Sequence, residues 1–546
     1  MRAKALGPID KMFIYGETKE TMMHVAGLMI FTPPADAGPR FVRDMVEEIF
    51  RYGHVEAPWN MKLATPNFLF NPAHKWVIDD KFDIDYHVRH SALPAPGGER
   101  ELGKLVSRLH SHPIDFHRPP WELHVIEGLA NGRFALYCKT HHSLVDGYTA
   151  TKIMTRSLST SPDDRQRPMY FALTQPKRER PPTPAKSPLS ILGTVLSMVK
   201  GGASSVGDLS KAISHLLKSA IAGDPALKTP MQGPASILNQ RIGRNRRFAT
   251  QQIPLDRLRA VAEASGGTLN DVIIAVCAGS LRTFLKELGA LPHDPLVAYL
   301  PVNVRPKGDE GGGNAIGAIL VSMATDTADP ARRMQAIVAS TTRAKAQLQG
   351  MSTTAILEYS LLLMAPYALQ VAQALTGNLI KMPVNFNICI SNVPGPEQPL
   401  YLRGARMDAV YPVSIPAHSM GLNITVQSYA GYLDFGFIGC RDTLPHMQKL
   451  AVYAKDSFDE LEQALLGDRP TATKATRPAK AGKVAKPTKP ATAAAKRPAL
   501  AKATKPASAQ PRQTPAPTAK VKAVARKPAQ AKPAAKKVVA KQPTKV

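Results

Sequence analysis

His141-His142-Ser143-Leu144-Val145-Asp146-Gly147 is the stretch on which the reading of this chain turns. Two adjacent histidines, three spacers and Asp-Gly make a compact acid/base cassette. An imidazole titrates near neutral pH, so it takes a proton from an alcohol and releases it within one turnover. A carboxylate four positions on fixes local geometry, and Gly147 permits a tight backbone path beside it. The preceding Phe134-Ala135-Leu136-Tyr137-Cys138-Lys139 predicts a strand. The cassette then falls where a strand gives way to a loop, a common seat for functional groups.

Three readings compete for the cassette. Zinc is disfavoured, because adjacent histidines point in different directions and no HExxH or Cys/His partner spacing is present, so no metal is expected. A pair of hydrogen-bonded histidines at a strand end is the bland alternative. A general base is the third, and the Asp-Gly offset favours it.

The flanking sequence alternates strand and helix patterns. Residues 1–158 hold a strand-like His24–Phe31, a helical Phe41–Tyr52, an alternating Phe82–Val88, a helical Glu101–His110 and a strand-like Trp121–Leu129. Residues 159–242 read as a connector. Its first part is rich in Pro, Arg, Lys and Ser, and Leu189–Ile221 has helical spacing that suits packing on a core or lying on a membrane surface. Residues 243–466 predict strands at Arg247–Ile253, Val297–Val304, Asn387–Ser391, Gly421–Ser428 and Leu433–Ile438. They also predict helices at Leu255–Ala264 and Val272–Leu288, the latter with Thr268 as N-cap and Asp271 in the first turn. The fold class is therefore α/β with mixed sheets, in two domains.

Net charge is +28 over 546 residues, but it is unevenly placed. Between Thr471 and Val546 there are 20 Lys or Arg and no Asp or Glu, which leaves +8 to the first 470 residues. Residues 467–546 are Lys, Ala, Pro and Thr with almost no large apolar side chains. Such a tail cannot offset its chain entropy by burial and is expected to be disordered. It is suited to anionic lipid or other polyanions such as DNA, although no aromatic residues interleave the charges for base stacking. Cys138, Cys277, Cys389 and Cys440 are scattered in apolar segments and read as free thiols in a reducing compartment. The first residues lack a continuous apolar run, so no signal peptide is expected. Ile356–Ile380 is the most membrane-like stretch, yet Glu358, Pro366, Gln370 and Gln373 argue for amphipathic helices rather than a span.

HHxxxDG is the signature of the CoA-dependent acyltransferase superfamily, and further segments resemble the bacterial wax ester synthase/diacylglycerol acyltransferase family. These are Pro8-Ile9-Asp10 to Glu17-Thr18, Pro119-Pro120-Trp121 (a PLW motif with Pro120 in place of leucine), Asn270-Asp271-Val272-Ile273, Ser391-Asn392-Val393-Pro394-Gly395-Pro396 and Leu400-Tyr401-Leu402-Arg403-Gly404. The resemblance spans residues 8 to 465. It implies two chloramphenicol acetyltransferase-like domains with the active site in a channel between them. It implies His142 as general base, His141 as supporting, and Asp146 as a structural carboxylate with Arg305 as candidate partner. No cofactor is implied; acyl-CoA is a co-substrate, and diacylglycerol or a fatty alcohol accepts the acyl group. Ser143 is not expected to be acylated, because no GxSxG elbow frames it. Asn270 stays open between helix cap and substrate contact, and Ser391 and Asn392 between rigid turn and tunnel lining. Trp121 reads as a core aromatic. A cytoplasmic enzyme lying peripherally on the inner membrane or on lipid inclusions is expected. The rival is a catalytically inactive protein of the same fold that binds lipid bodies or DNA through its tail.

Overall fold

Phe134–His141 is buried along its whole length, which places it in the middle of a sheet covered on both faces. The computed structural model describes residues 4–66, 74–145, 147–174, 226–303, 316–349, 351–377 and 383–467. Asp146, Arg305, the Leu189–Ile221 segment and the tail from residue 468 lie outside the described residues.

The first part of the chain forms β1 (Lys4–Ala5), α1 (Pro8–Tyr15), β2 (His24–Thr32), α2 (Phe41–Phe50), β3 (Met61–Leu63), β4 (Lys75–Ile78) and α3 (Ile84–His87). It continues with β5 (Val88–Ala92), α4 (Glu99–His110), β6 (Trp121–Glu127), β7 (Phe134–His141) and α5 (Gly147–Arg156). Beyond residue 226 come β8 (Arg246–Pro254), α6 (Leu255–Ala264), α7 (Leu269–Glu287), β9 (Val297–Asn303), β10 (Ile316–Ser322) and α8 (Pro330–Ala346). Next are α9 (Thr353–Met364), α10 (Tyr367–Leu375), β11 (Ile388–Val393), β12 (Tyr401–Leu402) and β13 (Ala405–Val413). The series ends with β14 (Leu422–Tyr429), β15 (Tyr432–Cys440) and α11 (Lys449–Leu466).

Two six-stranded sheets organise these elements. The first runs β12-β13-β2-β7-β6-β5, the second β10-β9-β11-β14-β15-β8, and a small third sheet runs β1-β4-β3. Strands β5/β6, β9/β11 and β11/β14 pair parallel, the others antiparallel. The mixed α/β class expected from the sequence is the one observed.

Strand β13 lies far along the chain, within 243–466, yet it completes the first sheet. It pairs with β2 from Arg406↔Thr32 to Val413↔Ala26, with a bulge between Met407 and Ala409. Partner choice of this kind depends on long-range packing and leaves no local periodicity. A second difference is Phe82–Val88, whose alternation predicts a strand. Ile84–His87 is instead one helical turn, because Asp83 Oδ1 accepts from the Asp85 N–H at 3.1 Å and seals its start; the strand begins at Val88.

Helices α6, α7, α8 and α11 cover one face of the second sheet, with Val272, Val276, Phe284, Phe435 and Phe458 fully buried between them. Helix α7 starts as expected. Asp271 Oδ2 accepts from both the N–H and the Oγ1–H of Thr268 at 2.7 Å, closing a capping box. The other face turns toward the first sheet, and Leu28, Ile30, Val413, Phe248 and Ile438 pack between the two. The four cysteines are free, three of them buried and Cys389 partly so. Among the described residues no single helix is long and apolar enough to cross a membrane. Within Ile356–Ile380 the chain forms two helices, broken at Ala365–Pro366.

Candidate active site

The two histidines sit at the end of β7, and each is pinned through its backbone from a different side. The His141 N–H donates to Pro120 O at 2.9 Å, and the His142 N–H donates to Met23 O at 2.9 Å. In the ladder His24 lies opposite His141. Pro120 thus meets the cassette through its carbonyl. Trp121 is fully buried and donates Nε1–H to Trp59 O at 2.6 Å, so it is a core aromatic. The chain then turns, with Leu144 N–H donating to His141 O at 3.0 Å, and α5 begins at Gly147.

The two rings face different surroundings. His141 is fully buried. Its Nδ1 accepts from the Ser143 backbone N–H at 3.2 Å and lies 2.6 Å from Ser143 Oγ. A backbone N–H only donates, so the ring hydrogen sits on Nε2, which donates to Glu17 Oε2 at 2.7 Å. Phe116 meets the same ring edge-on at 4.8 Å. His142 stacks on Phe13, with centroids 4.0 Å apart and planes at 22°. Neither Glu17 nor Phe13 carries a spacing signal that ties it to the cassette; only the path of α1 and the following turn brings them there.

His142 lines a cavity of about 310 Å³ between the two sheets. Val25, Gly27 and Met29 of β2, Met154 of α5, and Met407 and Val410 of β13 supply apolar walls. Polar groups are few: Thr140, Ser391, Asn392, Thr425 and Gln427 are among them. A mostly apolar pocket with a few convergent polar groups is the usual form of a small-molecule site. Ser391 and Asn392 thus share the cavity with His142. Asn270, the second residue of α7, does not line it but accepts from Asn392 Nδ2 at 2.7 Å. Gly395 lets the following turn close on β14, since a Cβ there would lie 2.2 Å from Ser428 O. Asp146 and its candidate partner Arg305 lie outside the described residues.

Beneath the cassette a buried charge cluster stiffens β6 and β7. Lys139 Nζ donates to His112 O at 2.8 Å and Leu109 O at 3.1 Å, and lies 3.3 Å from Glu122 Oε2. Burial alone would raise Glu122, but the His124 hydrogen bond and the Lys139 and Arg89 charges hold it well below the usual carboxylate range. Burial lowers Lys139, with Glu122 opposing the shift.

Comparison with known proteins shows the family. Residues 6–273 match the wax ester synthase/diacylglycerol acyltransferase catalytic domain, and residues 312–462 match the WS/DGAT C-terminal domain. A putative diacylglycerol O-acyltransferase of Mycobacterium tuberculosis is 50% identical over 494 residues, covering 85% of this chain and 98% of its own. The O-acyltransferase WSD of Acinetobacter baylyi is 37% identical over 462 residues, covering 84% and 97%. The solved wax ester synthase/diacylglycerol acyltransferase of Marinobacter aquaeolei superposes with a TM-score of 0.66 at 36% identity, over 84% of this chain and 99% of that one. The chain belongs to the wax ester synthase/diacylglycerol acyltransferase family.

Proposed function

We propose that this chain transfers a long-chain acyl group from acyl-CoA to the free hydroxyl of diacylglycerol, with fatty alcohols as alternative acceptors, and that His142 is the general base. The observation that carries this reading is the place of His142 in the wall of an apolar cavity between the two sheets. His142 takes the proton of the acceptor hydroxyl as its oxygen attacks the thioester carbonyl. The tetrahedral intermediate collapses, the C–S bond breaks, and the thiolate leaves with the proton returned by His142. Cavity groups such as Asn392 are candidates to hold the oxyanion. His141 supports the turn, Asn270 orients Asn392, and Asp146 is a structural carboxylate. Ser143 is poorly placed to be a nucleophile, because it is buried and does not line the cavity that His142 faces.

The family membership and the cavity favour an active enzyme over an inactive lipid- or DNA-binding relative. In this reading the enzyme works in the cytoplasm at the inner membrane or a lipid inclusion. Its basic tail adds about 1 kcal/mol of attraction per residue near anionic lipid, with strong salt dependence. The test is thiol release from long-chain acyl-CoA with diacylglycerol and fatty alcohol in competition. His142→Ala should lower the rate about 10²–10⁴-fold; an unchanged rate rejects His142 as the base, and the ester recovered decides the acceptor.

A further inference from the structure

Among the described residues of the α9–α10 helix pair, the half-buried Glu358 is the one charged group, and the exposed side chains are apolar, while hydrogen bonds anchor the inner face. Inside, Ser360 Oγ accepts from the Ala318 N–H at 2.8 Å. Tyr367 donates its hydroxyl to His418 O at 2.9 Å and stacks on Phe386 at 5.1 Å. Gln370, 1% exposed, donates to Phe386 O and Ser419 O and accepts from the Asn385 N–H. A surface helix anchored this way ordinarily turns charged residues to water. Helices α8 and α11 do so, exposing Arg332, Arg343, Lys455 and Glu460. The α9–α10 pair instead exposes Leu361 (47%), Leu362 (37%), Leu369 (61%) and Leu375 (44%). Ala365, Ala368 and Ala372 are exposed between them. From Tyr359 to Ile380 the sequence runs 22 residues without Asp, Glu, Lys, Arg or His.

Its position matters as much as its composition. Tyr359 and Leu363 pack with Val297, Leu320 and Phe386. Val297 and Pro301 alternate onto one face of β9, and Pro301 lines the cavity. Helix α9 therefore covers the continuation of the sheet face that walls the active-site cavity. An interface with another protein ordinarily carries about one hydrogen bond per 100–200 Å². A hydrocarbon boundary requires mainly apolar area, which the four leucines and three alanines present.

We propose that the outward face of α9–α10 is the surface by which this chain rests on a phospholipid bilayer, next to the cavity that takes its acceptor from that bilayer. The second clause rests on the lipid-substrate reading above; the docking itself does not. Full-length protein would be floated with phosphatidylcholine vesicles in high salt, where attraction through the basic tail is screened. The double variant Leu361→Glu/Leu369→Glu should lose at least about tenfold in vesicle partition. Its thermal midpoint, and its thiol release with short-chain acyl-CoA and a short alcohol in solution, should not change. Flotation equal to the native protein overturns the proposal, as does binding that appears only with anionic vesicles and vanishes in salt. A change of particle mass by light scattering also overturns it, since the face would then cover a second copy. His142→Ala should float like the native chain, so failure of the catalytic reading and failure of docking are read separately.

Discussion

Glu17 Oε2 lies 2.7 Å from His141 Nε2, across 124 residues of sequence. The same carboxylate oxygen accepts from the Met23 N–H at 3.2 Å, and Met23 O in turn accepts from the His142 N–H at 2.9 Å. One side chain thus orients the buried imidazole and fixes the backbone that carries the proposed base. Glu17→Ala leaves the buried Nε2–H without an acceptor, at a cost of about 1–3 kcal/mol in urea unfolding. It should also lower kcat about 10–100-fold with KM little changed, because small displacements of a reacting group are costly. Glu17→Gln keeps an acceptor oxygen and should recover most of the stability. An unchanged kcat in Glu17→Ala rejects the positioning role.

The Asn270–Asn392 hydrogen bond gives the two amides one shared function in the proposed site. Asn392→Ala removes a cavity-lining amide, and Asn270→Ala frees that amide to rotate. Each should lower kcat/KM for acyl transfer, and the double variant should be little worse than Asn392→Ala alone. The expected coupling is about 1 kcal/mol. Strictly additive losses would mean that Asn270 merely starts its helix.

Local signals account for what the sequence disclosed. The strand before the cassette, the Thr268 cap and the loop position of the histidines all depend on neighbours a few residues apart. Glu17, Phe13 and β13 do not. Glu17 meets His141 through the fold of α1, and Met407 and Val410 enter the cavity only because β13 pairs with β2. The alternation of Phe82–Val88 misleads for the opposite reason, since the local Asp83 cap overrides a two-residue period. Composition likewise indicates that Ile356–Ile380 is apolar, but only the structure separates its buried residues from its exposed leucines.

Gly436 on β15 lies where the two sheets approach closely. A Cβ there would lie 1.8 Å from Pro412 O of β13, and the obstacle is backbone, which cannot swing aside. Pro412 also lines the cavity. Gly436→Ala should therefore push the sheets apart, costing about 1–3 kcal/mol as overpacked sites do, and raise KM for acyl-CoA. Gly431, with open space around its Cβ position but φ of +86°, is a control whose alanine variant strains only its own turn. Equal stability of Gly436→Ala and the native chain, by urea denaturation, would show that the sheets separate without penalty.

Asp434 ties the same junction by charge-sensitive contacts. It is fully buried, and it accepts from the Val410 N–H of β13 and from Gln252 Nε2 of β8, each at 2.8 Å. Burial raises its pKa to about 7, against the opposing pull of those two hydrogen bonds. The folded state therefore holds a proton that the unfolded chain, with an ordinary carboxyl near 3.8, has already released. The resulting stabilisation is complete below the unfolded value and is lost as pH rises through about 7, with a slope on the order of 1 kcal/mol per pH unit between them. His24 and His110 act with the opposite sign. Burial lowers both, so their contribution is lost as the medium is acidified below the ordinary histidine range. Total stability therefore conceals the Asp434 component, and the informative quantity is the difference from Asp434→Asn. The asparagine oxygen can keep the Val410 contact while the Gln252 amide turns to accept from its NH₂ group. Unfolding free energies of the two proteins, taken by urea titration from pH 4 to pH 8, should lie close together near pH 4, separate as pH rises because only the native chain loses this stabilisation, and become parallel above about 7. Curves parallel throughout would mean that Asp434 is ionised in the folded state over the whole interval.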